Sequence, residues 1–178
     1  MLMLSFEDLL SRLRQLDEDA YLMSDSDVRY YMVIVGGSAL ILQKCRTNAT
    51  QDIDSISFSK ELYPLLEKYD INARVQAYIN CFPLNYEDRL IPVLNGRKVD
   101  FYTASLEDVV IAKLYASRSV DIFDITSDEV LQSLNWEKLR HLATDDDEAK
   151  ASRLNDSNYS VFLDAYKEYE RRYNPCAN

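Results

Sequence analysis

The chain is poor in the residues that mark fibrous, disulfide-rich or membrane-spanning proteins. Its 178 residues include only three glycines, four prolines, three cysteines and one histidine. So little glycine and proline excludes collagen-like and low-complexity classes. No apolar run approaches the roughly 20 residues that a membrane-spanning helix needs, and no basic region precedes an apolar stretch at the amino terminus. We therefore expect a globular, cytoplasmic protein with no membrane association.

Positive charge is also scarce. Lys and Arg number 20 against 30 Asp and Glu, which gives a formal net charge of −10. Because phosphate contacts dominate the affinity for nucleic acids, a protein that binds them through the backbone is usually basic. A nucleic-acid substrate would here need a local basic patch, whereas a small anionic ligand carried with magnesium is easier to accommodate. The cysteines are far apart and form no CxxC pair, which favours reduced thiols.

The first hundred residues combine helix and strand signals. Leucines at helical spacing after Ser5 predict an amino-terminal helix. The apolar run 30–35 predicts a strand buried on both faces, Gly36-Gly37 ends it, and a helix follows at once. The alternation of polar and apolar residues over 52–58 predicts a second strand. This order of strand, glycine turn, helix and strand favours a right-handed crossover in a mixed sheet.

A hairpin and a series of helices complete the pattern. Asn95-Gly96 between two apolar-patterned runs predicts a hairpin, and Pro92 places its first strand at a sheet edge. Helices are predicted at 60–69, 106–114, 119–125, 128–142, 147–154 and 157–173. We predict an α/β (α+β) fold, a mixed sheet with flanking helices and a helical carboxy-terminal part. Residues 1–104 would form the core with the amino-terminal helix, and residues 105–178 a helical part packed on it.

Two aspartates form the sharpest chemical feature. Asp52 and Asp54 are two residues apart on a predicted strand, so their side chains leave the same face. Magnesium binds through one or two carboxylates and completes its octahedron with water and substrate phosphates. The alternative is an ordinary exposed strand face.

A third aspartate extends this pattern. Asp100 lies in a separate predicted strand between two apolar residues. If that strand lies beside the one with Asp52 and Asp54, three carboxylates converge, and they could hold two divalent ions for phosphoryl transfer. The alternative is a hairpin aspartate near Lys98.

The glycine turn is the third element. Glycines let the backbone approach a ligand closely, and the start of the following helix favours anions, so the turn 36–38 suits a triphosphate. It lies fourteen residues before Asp52 in the same unit of strand, helix and strand. The alternative is a tight turn with no ligand.

Together these pieces resemble the nucleotidyltransferases of the DNA polymerase β superfamily. The likeness rests on Val35-Gly36-Gly37-Ser38-Ala39-Leu40, Thr50-Gln51-Asp52-Ile53-Asp54 and Val99-Asp100-Phe101, in that order. Within the superfamily the chain is most similar to AbiEii-type toxins, the nucleotidyltransferase partners of type IV toxin–antitoxin systems. A helix with a lysine, followed by an Arg-x-x-Asp segment, is also similar, and the likeness covers roughly residues 30–125.

The resemblance implies roles for nine residues. Three carboxylates would be catalytic and bind magnesium, the third of them helping to activate the acceptor hydroxyl: Asp52, Asp54 and Asp100. Six residues would bind the nucleotide: Gly36, Gly37, Ser38, Lys113, Arg118 and Asp121. The alternatives are a surface ion pair for Lys113 and a local pair at a helix junction for Arg118 and Asp121. The family often has an arginine where this chain has Asn48, so phosphate binding is weaker here or Arg46 substitutes.

The resemblance also implies a function. It is magnesium-dependent transfer of a nucleotidyl group from a nucleoside triphosphate to an acceptor hydroxyl, on RNA such as a tRNA end or on a protein. The chain would then be a component of a toxin–antitoxin pair, with a cognate antitoxin or toxin as its partner. One alternative is an antitoxin-like minimal nucleotidyltransferase that modifies a partner toxin. Another is a catalytically silent binding module that keeps the fold.

Overall fold

The chain divides into two compact units. A computed structural model describes residues 3–46, 50–154 and 156–176. The first unit takes its described residues from 1–77 and 90–104, and the second from 78–89 and 105–178. Strands and helices combine in the first unit and helices fill the second, so the predicted mixed α/β class with a helical carboxy-terminal part is confirmed. In the described ranges, no helix combines the length and apolarity needed to cross a membrane.

The first unit is built on a five-stranded mixed sheet in the order β3-β2-β1-β5-β4. Its elements in chain order are α1 (Phe6–Leu22), β1 (Tyr30–Val35), α2 (Gly36–Leu42), β2 (Ile53–Phe58), α3 (Tyr63–Leu66), β3 (Ile71–Asn72), β4 (Ile91–Asn95) and β5 (Val99–Thr103). β1 lies at the centre and is buried except at Tyr31, as its apolar run predicts. β4 lies at the edge, as Pro92 predicts, because proline cannot donate to a further strand. The predicted helix 60–69 is shorter, a 3₁₀ turn at Lys60–Leu62 followed by α3.

The predicted crossover between β1 and β2 is wrong. The two strands pair antiparallel, with Val35 opposite Asp54 and Met32 opposite Phe58. α2 has only seven residues, which span about 10 Å, and antiparallel neighbours need no long crossover. The parallel neighbour of β1 is instead β5, where Tyr31 lies opposite Asp100. This register decides which predicted site residues meet.

A buried carboxylate fixes α1 to the β4–β5 hairpin. Asp17 accepts hydrogen bonds at 2.8 Å from three successive backbone N–H groups, those of Arg97, Lys98 and Val99. At Gly96 a Cβ atom would lie 2.3 Å from the carboxylate of Asp17. Glycine in the predicted Asn-Gly turn therefore makes room for the carboxylate as well as for the turn.

The second unit consists of helices around a buried central one. They are α4 (Leu106–Ala116), α5 (Ser119–Ile125), α6 (Asp128–Ser133), α7 (Trp136–Thr144) and α8 (Asp156–Tyr173). The predicted helix 128–142 is split in two, because the Asn135 side chain caps a new helix by accepting the N–H of Lys138 at 3.0 Å. The predicted helix 147–154 is two 3₁₀ turns, Glu148–Lys150 and Ser152–Leu154.

Aromatic packing holds α8 within the second unit. Tyr159, Phe162, Tyr166 and Tyr169 recur at helical spacing and are all buried. The ring of Phe162 stacks on Tyr115 of α4 with 4.2 Å between the centroids. These side chains are core rather than the exposed partner surface that their spacing also allows.

Candidate functional site

The glycine turn and β2 meet at one end of the sheet. Gly36 has a φ of +67°, a conformation that residues with a Cβ rarely adopt. A Cβ at Gly36 would lie 2.6 Å from Oδ2 of Asp54, so the absence of a side chain lets the carboxylate lie directly against the turn. The ladder places Asp54 opposite Val35, the residue before the turn. The first two motifs of the sequence are thereby brought together.

Asp52 lies immediately before β2 and is separated from Asp54 in the sequence by the buried Ile53. Both carboxylates are half-buried, so each retains access to solvent. Asn72 of β3 pairs with Asp54 in the parallel ladder, and its amide Nδ2 donates to Oδ1 of Asp54 at 2.8 Å. The oxygen donors at this sheet end are thus two carboxylates with a neutral amide beside them.

These oxygen ligands fit a magnesium ion that is bound to a nucleoside triphosphate. Magnesium prefers oxygen and is commonly held by one or two carboxylates together with water and substrate phosphates. A cage made wholly of protein ligands would need more groups. Within the described ranges, no cluster of three or more His, Cys, Asp or Glu side chains could hold a metal ion.

The predicted convergence of three carboxylates is therefore wrong, because Asp100 lies elsewhere. Asp54 pairs with Val35 and Asp100 with Tyr31, four residues apart along β1 and so separated by roughly 13 Å of strand. β5 runs parallel to β1 and β2 antiparallel, so the beginnings of β5 and β2 lie at opposite ends of the sheet. Asp100 is a hairpin aspartate, but its partner is Arg29, whose Nε donates to Oδ2 at 3.0 Å.

The other residues of the glycine turn have separate contacts. Ser38 is buried, and its hydroxyl donates to the backbone oxygen of Val35 at 2.9 Å, which closes the turn. A Cβ at Gly37 would lie 2.7 Å from Nη1 of Arg46, so that guanidinium lies directly beside the turn. Asn48, the position of the family arginine, lies outside the described residues.

The predicted lysine helix contains a buried ionic cluster in the second unit. Nζ of Lys113 donates to Oδ1 of Asp121 at 2.9 Å and to Oδ2 of Asp124 at 2.8 Å. Arg118 donates from Nε to Oδ2 of Asp121 at 2.6 Å. The exposed fraction of Lys113 is only 7%, so the alternative of a surface ion pair is wrong. The cluster joins α4 to α5.

Electrostatics in this cluster favour the charged carboxylate. Burial raises the pKa of Asp121, but the hydrogen bonds from Arg118 and Lys113 outweigh it, so that the net pKa lies below its ordinary value. Two cations and two carboxylates balance in charge. The side chain of Arg118 is 71% exposed, whereas Asp121 is 1% exposed.

Sequence reasoning missed two residues of these arrangements. Asp124 follows Asp121 by three residues on a predicted helix, so helical spacing could have identified it as a second partner for Lys113. Asn72 lies in the segment 71–81, whose pattern is ambiguous between helix and strand. No signal in that segment indicates that it pairs with Asp54.

Comparison with known proteins identifies a family for the chain. The chain matches, over residues 11–174, a family described as nucleotidyltransferases of unknown function (DUF6036). The match covers most of the chain. No curated protein matches the chain significantly, and no solved structure does so either.

Proposed function

We propose that the chain, which belongs to this family of nucleotidyltransferases, moves a nucleotidyl group from a nucleoside triphosphate to an acceptor hydroxyl with magnesium as cofactor. The observation that carries the proposal is the Asp54 carboxylate lying against the turn at Gly36, two residues after Asp52. A turn without side chains can approach a triphosphate, and carboxylates beside it can hold the accompanying magnesium. The two features that the chemistry needs are adjacent in one unit.

The reaction requires little covalent chemistry from the protein. The acceptor oxygen attacks the α-phosphorus, the bond to the bridging oxygen breaks, pyrophosphate leaves with the electron pair, and the hydroxyl proton passes to solvent. Asp52 and Asp54 would hold the magnesium, which when bound supplies charge neutralisation at the phosphates. The backbone at Gly36 and Gly37 would contact the triphosphate, and Arg46 beside Gly37 would balance its charge. Rate enhancement would come mainly from positioning and electrostatics.

We propose a second group of nucleotide-binding residues, which lies in the second unit. Arg118 is the exposed cation of its cluster and would contact phosphate, while Asp121 holds Arg118 and Lys113 holds Asp121. Nε and Nη2 of Arg118 donate to Asp121, and the positive charge of the exposed guanidinium would attract phosphate oxygens. Ser38 would act indirectly, by closing the glycine turn.

For the acceptor we propose a hydroxyl of a protein or a small molecule. The net charge of −10 repels a polyanion on average. An RNA end, such as that of tRNA, is the competing result in an acceptor screen with a triphosphate labelled on its α-phosphate. The label would move to protein or to a small molecule if the proposal holds, and to RNA if it does not.

The resemblance to AbiEii-type toxins extends the proposal to a toxin–antitoxin role. Expression of the chain would then slow growth of its host, and a partner protein would relieve that effect. An Asp52→Asn/Asp54→Asn variant would be harmless, because the magnesium carboxylates would be gone. Equal toxicity of this variant and the wild type would overturn the role.

One observation favours a second candidate, a catalytically silent nucleotide-binding module. Asp100 is bonded to Arg29 and lies away from the other two carboxylates, so no third carboxylate among the described residues completes the site. The module would bind a magnesium–nucleotide complex without transferring it. The acceptor screen separates the two functions.

Calorimetric titration tests the proposed site. A panel of nucleoside triphosphates with magnesium is titrated into the wild type, into Asp52→Asn/Asp54→Asn, and into Asp25→Asn/Asp27→Asn as a matched control on an exposed loop. We expect magnesium-dependent binding to the wild type and the control, and none to the double variant. Absence of binding to well-folded wild type would contradict the proposal.

A further inference from the structure

We propose that Asn72 is the positioning residue of the candidate site and fixes the Asp54 carboxylate in the orientation that binds the magnesium–nucleotide complex. This inference rests on the proposed function. The contact that carries it is the hydrogen bond from Nδ2 of Asn72 to Oδ1 of Asp54, at 2.8 Å. Side chains directly beside a metal-binding carboxylate commonly set its orientation and basicity.

The amide of Asn72 has one orientation in this environment. Its oxygen Oδ1 accepts the backbone N–H of Arg74 at 3.1 Å. An amide whose oxygen is engaged on one side presents its NH₂ group to the other. Asn72 therefore faces Asp54 as a donor.

Backbone pairing fixes the distance between the two side chains. β2 and β3 run parallel, and Asp54 lies opposite Asn72 in the register. Neighbouring strands lie about 4.8 Å apart, which suits a short donor and a short acceptor on the same face. The contact depends on no flexible side chain.

Asp54 is consequently held through one oxygen and lies against the glycine turn with the other. Oδ1 accepts from Asn72, and Oδ2 lies 2.6 Å from the position that a Cβ at Gly36 would take. A carboxylate with a fixed rotamer loses less conformational entropy when it binds a ligand than a mobile one does. We expect Asp54 to bind a cation more tightly for this reason.

Replacement of the amide by an apolar side chain of similar size isolates the hydrogen bond. Asn72→Leu keeps most of the side-chain volume and removes the N–H that donates to Asp54, so the carboxylate loses its fixed orientation and cation binding weakens. Asn72→Ala removes the same donor and leaves space beside Asp54. If the contact positions Asp54, both variants weaken cation binding.

The experiment follows Mn²⁺, which replaces magnesium and reports binding through the loss of the free-ion paramagnetic resonance signal. Wild type, Asn72→Ala, Asn72→Leu and the control Asn95→Ala, an exposed asparagine of the same unit, are titrated with Mn²⁺ in the presence of the triphosphate. We expect Asn72→Ala and Asn72→Leu to weaken Mn²⁺ binding about 10–100-fold and the control to match the wild type. Thermal unfolding verifies that each variant is folded, and Asn72→Leu, which leaves no gap beside Asp54, keeps the test informative if Asn72→Ala is not.

The outcomes distinguish this inference from the proposed function. Unchanged Mn²⁺ binding in both Asn72 variants, with normal binding to the wild type, would overturn the positioning role alone. Reduced thermal stability of the folded Asn72 variants with unchanged Mn²⁺ affinity would show a purely structural contact and overturn it as well. Absence of Mn²⁺ and nucleotide binding in the folded wild type would overturn the proposed function, and the positioning role with it.

Discussion

The two units use aspartate in different ways. In the second unit, Asp121 and Asp124 are 1% and 3% exposed, and each lies within 3 Å of the ammonium of Lys113. In the first unit, Asp52 and Asp54 are half-buried at the end of β2. Burial of a charged carboxylate is unfavourable unless a fixed partner compensates it, so the buried pair serves the fold. A carboxylate that retains solvent access can exchange water for a ligand.

Two further aspartates show that burial and partners set this difference, whichever unit is considered. Asp108 in the second unit is fully buried and receives two hydrogen bonds from Arg89, at 3.0 and 2.9 Å. Asp17 in the first unit is buried as well, and its partners are three backbone N–H groups. Both are structural by this criterion. Asp52 and Asp54 differ from both in retaining access to solvent beside the glycine turn.

Removal of the cation from the buried cluster should have the largest effect on stability. Lys113→Met leaves two buried carboxylates without their ammonium, and we expect the free energy of unfolding to fall by about 3–5 kcal/mol. Arg118→Met removes a mostly exposed cation from the same cluster, and the expected loss is at most about 1 kcal/mol. Urea denaturation of both variants measures the two values. Equal losses of unfolding free energy in the two variants would contradict the distinction between buried and exposed partners.

Removal of the charge from Asp17 should have the next largest effect. Asp17→Asn weakens three hydrogen bonds at once and brings an NH₂ group towards backbone donors, so we expect a loss of about 3 kcal/mol. Asp25→Asn, an exposed loop aspartate of the same unit, is the control and should change stability little. Thermal unfolding of the two variants provides the measurement. An unaffected Asp17→Asn would contradict the structural role of this buried carboxylate.

Substitution of Gly36 should impair ligand binding more than that of Gly37. Gly36→Ala is strained by its positive φ, by about 1–3 kcal/mol, and its Cβ would displace Oδ2 of Asp54. Gly37→Ala meets only the end of the Arg46 side chain, which can move away. Calorimetry with a magnesium–nucleotide complex should show binding lost in the first variant and retained, at reduced affinity, in the second. The reverse order would contradict the assignment of this turn as a triphosphate-binding element.

The smallest expected effect on stability is the loss of the charge of Asp121 at acidic pH. Its pKa in the folded state lies below the ordinary value, so its stabilising contribution is complete above that ordinary pKa and is lost as the pH falls through the folded pKa. We expect the free energy of unfolding of the wild type to decrease in that acidic window more than that of Asp121→Asn. Denaturation curves recorded from neutral pH down to about pH 3 compare the two slopes. Parallel slopes would show that Asp121 contributes nothing through its charge.

Local features could be predicted because neighbouring residues determine them. The apolar run of β1, the Asn-Gly hairpin and the turn at Gly36 follow from periodicity and backbone preference. The spacing of Asp52 and Asp54 needs only the period of a strand. The adjacency of that pair to the glycine turn agrees with the order of the motifs along the chain.

Strand direction could not be predicted in the same way. Asp100 has the expected apolar neighbours, but its distance from Asp54 depends on β5 running parallel to β1 and on the register between them. Pairing of β3 with β2 brings in Asn72 from a segment whose own pattern is ambiguous. The burial of Lys113 likewise depends on the packing of α4 on all sides. The helical spacing of its apolar residues does not indicate how many sides of the helix are covered.

The most direct test of the account is a side-by-side titration of Asp54→Asn and Asp100→Asn with a magnesium–nucleoside triphosphate complex. Both changes remove one negative charge from the same sheet. We predict that Asp54→Asn abolishes binding and that Asp100→Asn, which alters only the contact with Arg29, binds as the wild type does. Equal loss in both variants would contradict the separation of the two carboxylates and restore a three-carboxylate site.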